Sequence, residues 1–196
     1  MTKYRYFFGT DLRSIPYLMV LHNNNTQIKV VTTPANKKGR GGKLQYNAVE
    51  EYCIKNNLEF IYYSQDDIYE DMEFGISASF SKIFTSDFLR NNNKVFNIHL
   101  SLLPKLRGPS PVEFSILNQE RITGFTVFHI DEDIDTGKIV DQQDIEIKST
   151  DYASDIYDKL AKLFNESYSS INFNSHGNEQ TGNSSLTSKF SKSNLD

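Results

Sequence analysis

Residues 4–32 read YRYFFGTDLRSIPYLMVLHNNNTQIKVVT, and this stretch decides the fold class. Tyr4–Phe8 is a short apolar run that closes on Gly9-Thr10-Asp11, the pattern of a buried strand leading into a turn. A helix-like segment ending near His22 follows, and then Ile28–Thr32, which is β-branched and strand-like. The alternation continues. Gln45–Asn56 places Ala48, Val49, Tyr52 and Cys53 on one helical face. Leu58–Tyr62 and Phe74–Phe80 read as further buried strands, Thr85–Asn92 as a helix and Val95–Ile98 as a strand. This rhythm predicts an α/β fold with a doubly wound, mostly parallel sheet. Ligands of such sheets sit beyond the carboxyl ends of the strands, which directs attention to the residues after Ile98.

After Pro111 the pattern changes. Thr123–Ile130 and Lys138–Ile147 are adjacent strand candidates joined by the acidic loop Asp131–Gly137. Asp151–Phe164 is the clearest amphipathic helix, with Ser149, Thr150 or Asp151 as candidate caps. From Asn165 onward, 15 of 32 residues are Ser or Asn. That stretch has little apolar area to offset ordering entropy, so the chain divides into a folded domain over 1–164 and a linker or disordered tail over 165–196.

The net charge of −4 argues against sequence-independent nucleic-acid binding over the whole surface, though not against a local basic patch. Cys53 is the one cysteine, which excludes an internal disulfide and fits a reducing compartment. No run approaches the roughly 20 apolar residues that span a bilayer, so no membrane partner is expected. Met1-Thr2-Lys3 leads at once into Tyr4–Phe8, leaving no room for a signal or transit peptide in the chain as given. A monomer is the default expectation.

Three segments carry chemistry. In Asn97-Ile98-His99-Leu100-Ser101-Leu102-Leu103-Pro104, Asn97 and His99 lie two apart, so on a continuing strand both project from one face and an amide donor and an imidazole converge. Asp131–Gly137 holds four carboxylates, but it lacks the Gly and distal Glu of a calcium loop, so no metal site is read there. Asp135 stands apart, because the following Thr136-Gly137 permits a tight turn that aims its carboxylate inward. Lys37–Lys43 combines four cations with three glycines and suits contact with a phosphate backbone, although its spacing is not that of a P-loop. Each has a plainer reading: a hydrogen-bonded structural His, a turn-forming Asn, an acidic surface turn and a solvated basic loop.

Together and in this order, these residues resemble the 10-formyltetrahydrofolate-dependent formyltransferases. The motif is Asn-x-His-x-Ser-Leu-Leu-Pro, here Asn97–Pro104, followed by Asp-Thr-Gly, here Asp135–Gly137, and the likeness extends over residues 4–164. The resemblance implies a Rossmann-like catalytic domain that uses 10-formyltetrahydrofolate as cosubstrate and needs no metal. It implies catalytic roles for Asn97, His99 and Asp135, and a folate pocket shaped by Ser101, Leu102, Leu103 and Pro104, largely through backbone groups. Gly39–Leu44 is similar to the insertion with which one branch of the family engages the acceptor end of methionyl initiator tRNA. Lys38, Arg40, Gly41 and Lys43 are then the implied tRNA contacts. Arg107-Gly108 further separates the chain from the glycinamide ribonucleotide branch. Formylated initiators imply the bacterial cytoplasm or the mitochondrial matrix.

Two alternatives stay open: an amino-sugar N-formyltransferase, and a non-catalytic folate- or RNA-binding remnant. The second is motivated by departures from the family. Leu186–Asp196 resembles the segment that precedes the family's usual C-terminal β-barrel and the given sequence stops there, so it is either a fragment or an enzyme without that barrel. The stretch between Tyr63 and Phe74 is short, and Ser81 stands where Gly is common near the folate pocket.

Overall fold

A computed structural model describes residues 2–24, 27–34, 36–38, 43–92, 94–191 and 194. The chain forms two compact units, Met1–Phe96 and Asn97–Asp196.

In the first unit, β1 (Tyr4–Phe8) pairs in parallel with β2 (Ile28–Thr32) on one side and with β6 (Met72–Ser77) on the other. A strand with parallel neighbours on both sides is covered on both faces, which is why three consecutive aromatic residues, Tyr6, Phe7 and Phe8, are all buried. Phe8 meets Phe84 and Phe88 edge-on, at ring separations of 5.2 and 6.1 Å. A 3₁₀ turn (Leu12–Ser14), with Asp11 accepting from the Arg13 N–H, leads into α1 (Ile15–Asn24).

Four sequence expectations shift here. The segment read as one helix from Gln45 is divided: β4 (Lys43–Gln45) pairs antiparallel with β3 (Asn36–Lys38), and α2 runs only over Ala48–Lys55. The divide is a capping box. The Asn47 side chain accepts from the N–H groups of Val49 and Glu50, and the Glu50 carboxylate accepts from the Asn47 N–H. The strand expected over Leu58–Tyr62 is the three-residue β5 (Phe60–Tyr62), which pairs with β2 and leaves Ile61 and Tyr62 exposed. It is an edge strand, and its apolar run is not a sign of burial. The strand expected over Phe74–Phe80 begins and ends earlier, at Met72 and Ser77. The helix expected over Thr85–Asn92 is α3 (Ser86–Asn91), with the Thr85 hydroxyl capping the Phe88 N–H.

Strand β7 (Val95–His99) straddles the division and includes both Asn97 and His99. In the second unit, α4 (Pro111–Leu117) precedes β8 (Ile122–His129), which pairs antiparallel with β9 (Ile139–Glu146). The seven-stranded sheet takes the order β5-β2-β1-β6-β7-β8-β9, mostly parallel with helices flanking it.

Helix α5 (Ala153–Ser167) buries Ile156, Leu160 and Phe164, and Phe164 meets Phe125 of β8 edge-on. Its start is not capped by Ser149, Thr150 or Asp151. Asp155 accepts from the Tyr152 N–H, while Asp151 closes the preceding turn by accepting from the Lys148 N–H and pairs with Lys159.

The Ser/Asn-rich segment is not a disordered tail over its described length. Tyr168, Ile171 and Phe173 are buried against the end of α5. Beyond them, Ile139 and Asn178 exchange backbone hydrogen bonds of 2.8 Å, and Leu186 bridges to Arg107. Beyond Phe173 these contacts are backbone and amide hydrogen bonds, which need no apolar run and leave no mark in the composition. Among the described residues no helix is long and apolar enough to cross a membrane.

Candidate active site

His99 ends β7 and is almost fully buried. Its Nε2 lies 2.8 Å from the Leu106 carbonyl oxygen. A carbonyl only accepts, so Nε2 carries the proton of that bond, and the other ring nitrogen, Nδ1, faces the carboxylate of Asp135 at 3.5 Å. That separation is an electrostatic contact rather than a hydrogen bond. Asn97 precedes His99 by two residues in the same strand, on the same face, and is half-buried.

Asp135 is held by the shape of its turn. It adopts left-handed backbone geometry (φ 55°), and its Oδ2 accepts from the Gly108 N–H at 2.7 Å. Thr136 donates to the Asp131 carboxylate. Gly137 is obligatory, because a Cβ there would lie 1.7 Å from the His129 carbonyl oxygen. The acidic loop is therefore a scaffold that directs one of its four carboxylates at an imidazole. Among the described residues no group of three or more His, Cys, Asp or Glu side chains is placed to hold a metal ion.

The Ser101–Pro104 segment turns away from β7 with a cis Leu103–Pro104 peptide. Its polar groups are mostly engaged from within. The Ser101 hydroxyl donates to the Lys105 carbonyl, and the Ser101 carbonyl accepts from the Thr126 hydroxyl. The Leu103 N–H donates to Thr126 Oγ1, the Leu103 carbonyl accepts from Gln142, the Leu102 carbonyl from the Lys105 N–H and the Pro104 carbonyl from the Ser185 N–H. These bonds hold the Ser101–Pro104 backbone in a fixed shape.

Thr126 is the hub of that anchoring. Its buried hydroxyl donates once and accepts from both the Leu103 N–H and Gln142 Nε2, the full capacity of a hydroxyl. Sequence reasoning missed Thr126 and its cross-strand partner Gln142. A polar residue inside the otherwise buried run of β8 was the available signal for Thr126, whereas β9 has no buried residue and nothing marked Gln142. It also missed Gln180, whose amide donates to the carbonyls of Asp135 and Gly137 and accepts from Arg107.

The other expected residues are elsewhere. Lys38 and Lys43 are register partners at the loop end of the β3–β4 hairpin, while Arg40 and Gly41 lie outside the described residues. Ser81 lies in the first unit, where its N–H donates to the Thr10 hydroxyl.

The profile of the formyl transferase family matches residues 7–171. The chain belongs to the formyl transferase family. Within it, the methionyl-tRNA formyltransferase of Endomicrobium trichonymphae is 39% identical over 165 residues, which is 80% of this chain and 53% of that protein. That of Acetivibrio thermocellus is 35% identical over 167 residues, 80% of this chain and 54% of that protein. The chain thus spans about half the length of the curated relatives it matches. A solved family structure, the N-formyltransferase from Helicobacter canadensis in complex with folinic acid and dTDP-3-aminofucose, superposes with a TM-score of 0.74 at 26% identity, covering 100% of this chain and 73% of that one. Asn97, His99 and Asp135 all lie in this second unit, with His99 against Asp135 and Asn97 two residues before His99 on β7.

Proposed function

We propose that this chain transfers the formyl group of 10-formyltetrahydrofolate to the α-amino group of methionine carried by initiator tRNA. The reading is carried by the convergence of His99 and Asp135, with Asn97 on the same strand face, in a chain whose relatives at 39% and 35% identity are methionyl-tRNA formyltransferases.

An α-ammonium group, with pKa about 8, must lose a proton before its nitrogen can attack. Attack forms the new N–C bond and an oxyanion on the formyl carbon. Collapse breaks the bond to N10 of the folate, which takes up a proton as the attacking amine gives one up, so the step from the free amine is proton-neutral and the reaction from the ammonium releases one proton. Donors placed for the oxyanion are commonly the largest catalytic contribution. Asn97 supplies one from its amide. With Nε2 committed to Leu106, Nδ1 is the ring nitrogen His99 has left for the reacting group, and the Asp135 carboxylate lies beside it. Asp135 is also the nearest carboxylate to relay the amine proton. Lys38, Arg40, Gly41 and Lys43 are the residues that receive the tRNA backbone, and Ser101–Pro104 shape the folate side. A reaction of this kind belongs to the bacterial cytoplasm or the mitochondrial matrix.

A second reading has its own support: the Helicobacter canadensis enzyme, whose complex holds an amino sugar, matches this chain along its whole length. One experiment separates the two. The purified chain is incubated with 10-formyltetrahydrofolate and either methionyl initiator tRNA or a dTDP-linked amino sugar, and products are identified by mass. Formyl-methionyl-tRNA that declines in an Arg40→Ala variant is the expected result. Formylation of the sugar alone, indifferent to Arg40, would replace this reading with the second.

A further inference from the structure

Gln180 lies deep in the segment whose composition resembles a linker, yet its side chain joins the two loops that position the site. Its Oε1 accepts from Arg107 Nε at 3.2 Å and from the same guanidinium's terminal nitrogen at 2.7 Å. Its Nε2 donates to the carbonyls of Asp135 and Gly137, both at 2.9 Å. The orientation of the amide has no alternative, because a guanidinium only donates and a carbonyl only accepts. Both polar ends of the amide are therefore engaged.

What Gln180 joins matters more than how well it is bonded. On one side is the Leu106–Gly108 loop, whose Leu106 carbonyl receives His99 and whose Gly108 N–H holds the Asp135 carboxylate. On the other is the Asp135–Gly137 turn itself. The neighbouring residues lash the same loop: the Ser185 hydroxyl accepts from the Leu106 N–H, the Ser185 carbonyl from the Arg107 N–H, and the Thr187 N–H and hydroxyl both donate to the Arg107 carbonyl. At Gly108 the approach is close, since a Cβ would lie 2.9 Å from the Thr187 carbonyl oxygen, with φ at +97°. Residues 178–187 thus form a strap across the loops behind the imidazole and the carboxylate.

We propose that Gln180 is a positioning residue of this site: through the carbonyls of Asp135 and Gly137 it fixes the turn that aims the Asp135 carboxylate at His99, and through Arg107 it ties that turn to the loop that receives His99. The role in catalysis rests on the formyl-transfer reading, whereas the role in geometry does not. Left-handed backbone at Asp135 is sustained only where surrounding bonds over-determine it, and two of those bonds come from Gln180. A displacement of the order of 1 Å in a catalytic group can cost about 100-fold in rate.

Two variants and a control test this in the full chain. Gln180→Leu removes both arms. Gln180→Glu keeps an acceptor for Arg107 and removes the donations to the turn. Glu179→Gln, which alters only an exposed pair with Lys138, is the control. The primary readout is the titration of the His99 imidazole by NMR, with His22, His129 and His176 as internal references. Gln180→Leu should move the His99 midpoint in the same direction as Asp135→Asn does, while Glu179→Gln leaves it in place; Gln180→Glu, which adds a carboxylate of its own, is read by kcat. In formyl transfer, kcat should fall by about 10- to 100-fold with KM for both substrates held within about twofold. A purely structural role would lower thermal stability and leave the His99 titration and kcat per folded molecule at wild-type values, and that outcome overturns the proposal. If the wild-type chain formylates neither acceptor, the activity reading fails, while the His99 titration still decides the role of Gln180.

Discussion

Of the carboxylates that face a basic side chain, Asp71 and Asp135 are built in opposite ways. In the first unit, Asp71 is saturated. Its Oδ1 accepts from the Tyr6 hydroxyl at 2.6 Å, its Oδ2 from Lys29 at 2.5 Å, and its backbone carbonyl from the Tyr4 N–H. Lys29 also lies 4.3 Å over the Tyr4 ring. In the second unit, Asp135 uses only Oδ2, shared between the Gly108 N–H and the more distant His99, and its Oδ1 makes no hydrogen bond among the described residues. A carboxylate with every oxygen engaged holds structure. One kept on a left-handed turn with an oxygen to spare has capacity left for a substrate. The fold can tolerate that, because the turn is stabilised through its backbone instead, at Gly108, Gln180 and Gly137.

The sharpest way to break the comparison is to neutralise each carboxylate in turn. Asp135→Asn keeps a residue type that tolerates left-handed backbone and keeps an oxygen for the Gly108 N–H. It should therefore leave the melting temperature nearly unchanged while lowering formylation by about 10²- to 10⁴-fold, the range for removing a positioned acid–base group. Asn97→Ala should fall within about 10²- to 10³-fold by loss of one oxyanion donor. Full activity in either variant, assayed on methionyl initiator tRNA in well-folded protein, would remove that residue from the site.

Gly137→Ala attacks the same turn through its backbone. The new methyl cannot coexist with the His129 carbonyl, so β8 and β9 must part locally, at a cost of about 2–3 kcal/mol. In a chain of this size that is roughly 5–10 °C of melting temperature, with activity reduced in step. Wild-type melting behaviour would mean that the turn yields more easily than its contacts indicate.

Asp71→Asn should do the reverse of Asp135→Asn: no change in turnover, and a stability loss of about 1 kcal/mol at neutral pH for a half-exposed charge pair. The loss has a definite pH signature. Burial works to raise the Asp71 pKa, but the hydrogen bonds from Lys29 and Tyr6 outweigh it and hold the carboxyl below its ordinary value of 3.8. Its contribution is therefore present above pH 3.8 and fades as pH falls through the lower, folded value. Wild type and variant should converge in acid. At the other end, burial and then the bond to Asp71 push the Tyr6 hydroxyl from 10.0 up to about 12. That contribution is intact below pH 10 and is lost as pH rises toward about 12. Denaturant titrations across this range, compared between wild type and variant, would expose a cluster that does not behave as one unit.

How much of this was legible in the residues follows from the same contrast. Tyr4–Phe8 and Ile28–Thr32 are strands with the bounds their apolar runs suggest, because burial on both faces leaves a strong local signal. The pairing of Asn97 with His99 on one strand face, and the turn at Asp135, could be read from spacing and from Thr136-Gly137. Asn47 and Glu50 were legible in principle as a capping box, but the apolar spacing beside them drew the helix too long. What could not be read was whatever depends on distant backbone. Nothing in Asn178-Glu179-Gln180 announces that its amide will meet the carbonyls of Asp135 and Gly137, because a carbonyl is present at every residue and its availability is decided by the fold. The strap consequently looked like solvent-loving filler.

The smallest effect belongs to a third kind of pair. Lys162 and Glu166 stand four residues apart near the end of α5, with nitrogen and oxygen at 3.8 Å and both side chains largely exposed. Such pairs contribute about 0.3–0.5 kcal/mol at best. Here the order is the less favourable one, with Lys toward the N-terminus, and it sets a negative charge in the last turn, where the helix dipole disfavours it by a similar amount. The two effects oppose each other, so Glu166→Gln should change stability by less than about 0.5 kcal/mol in either direction. Raising the salt concentration should shrink even that, since exposed charges are screened. A loss clearly above that bound, measured by denaturant unfolding, would mean that proximity alone predicts the strength of a charge pair. Engagement of the remaining oxygens would then have no claim to separate Asp71 from Asp135.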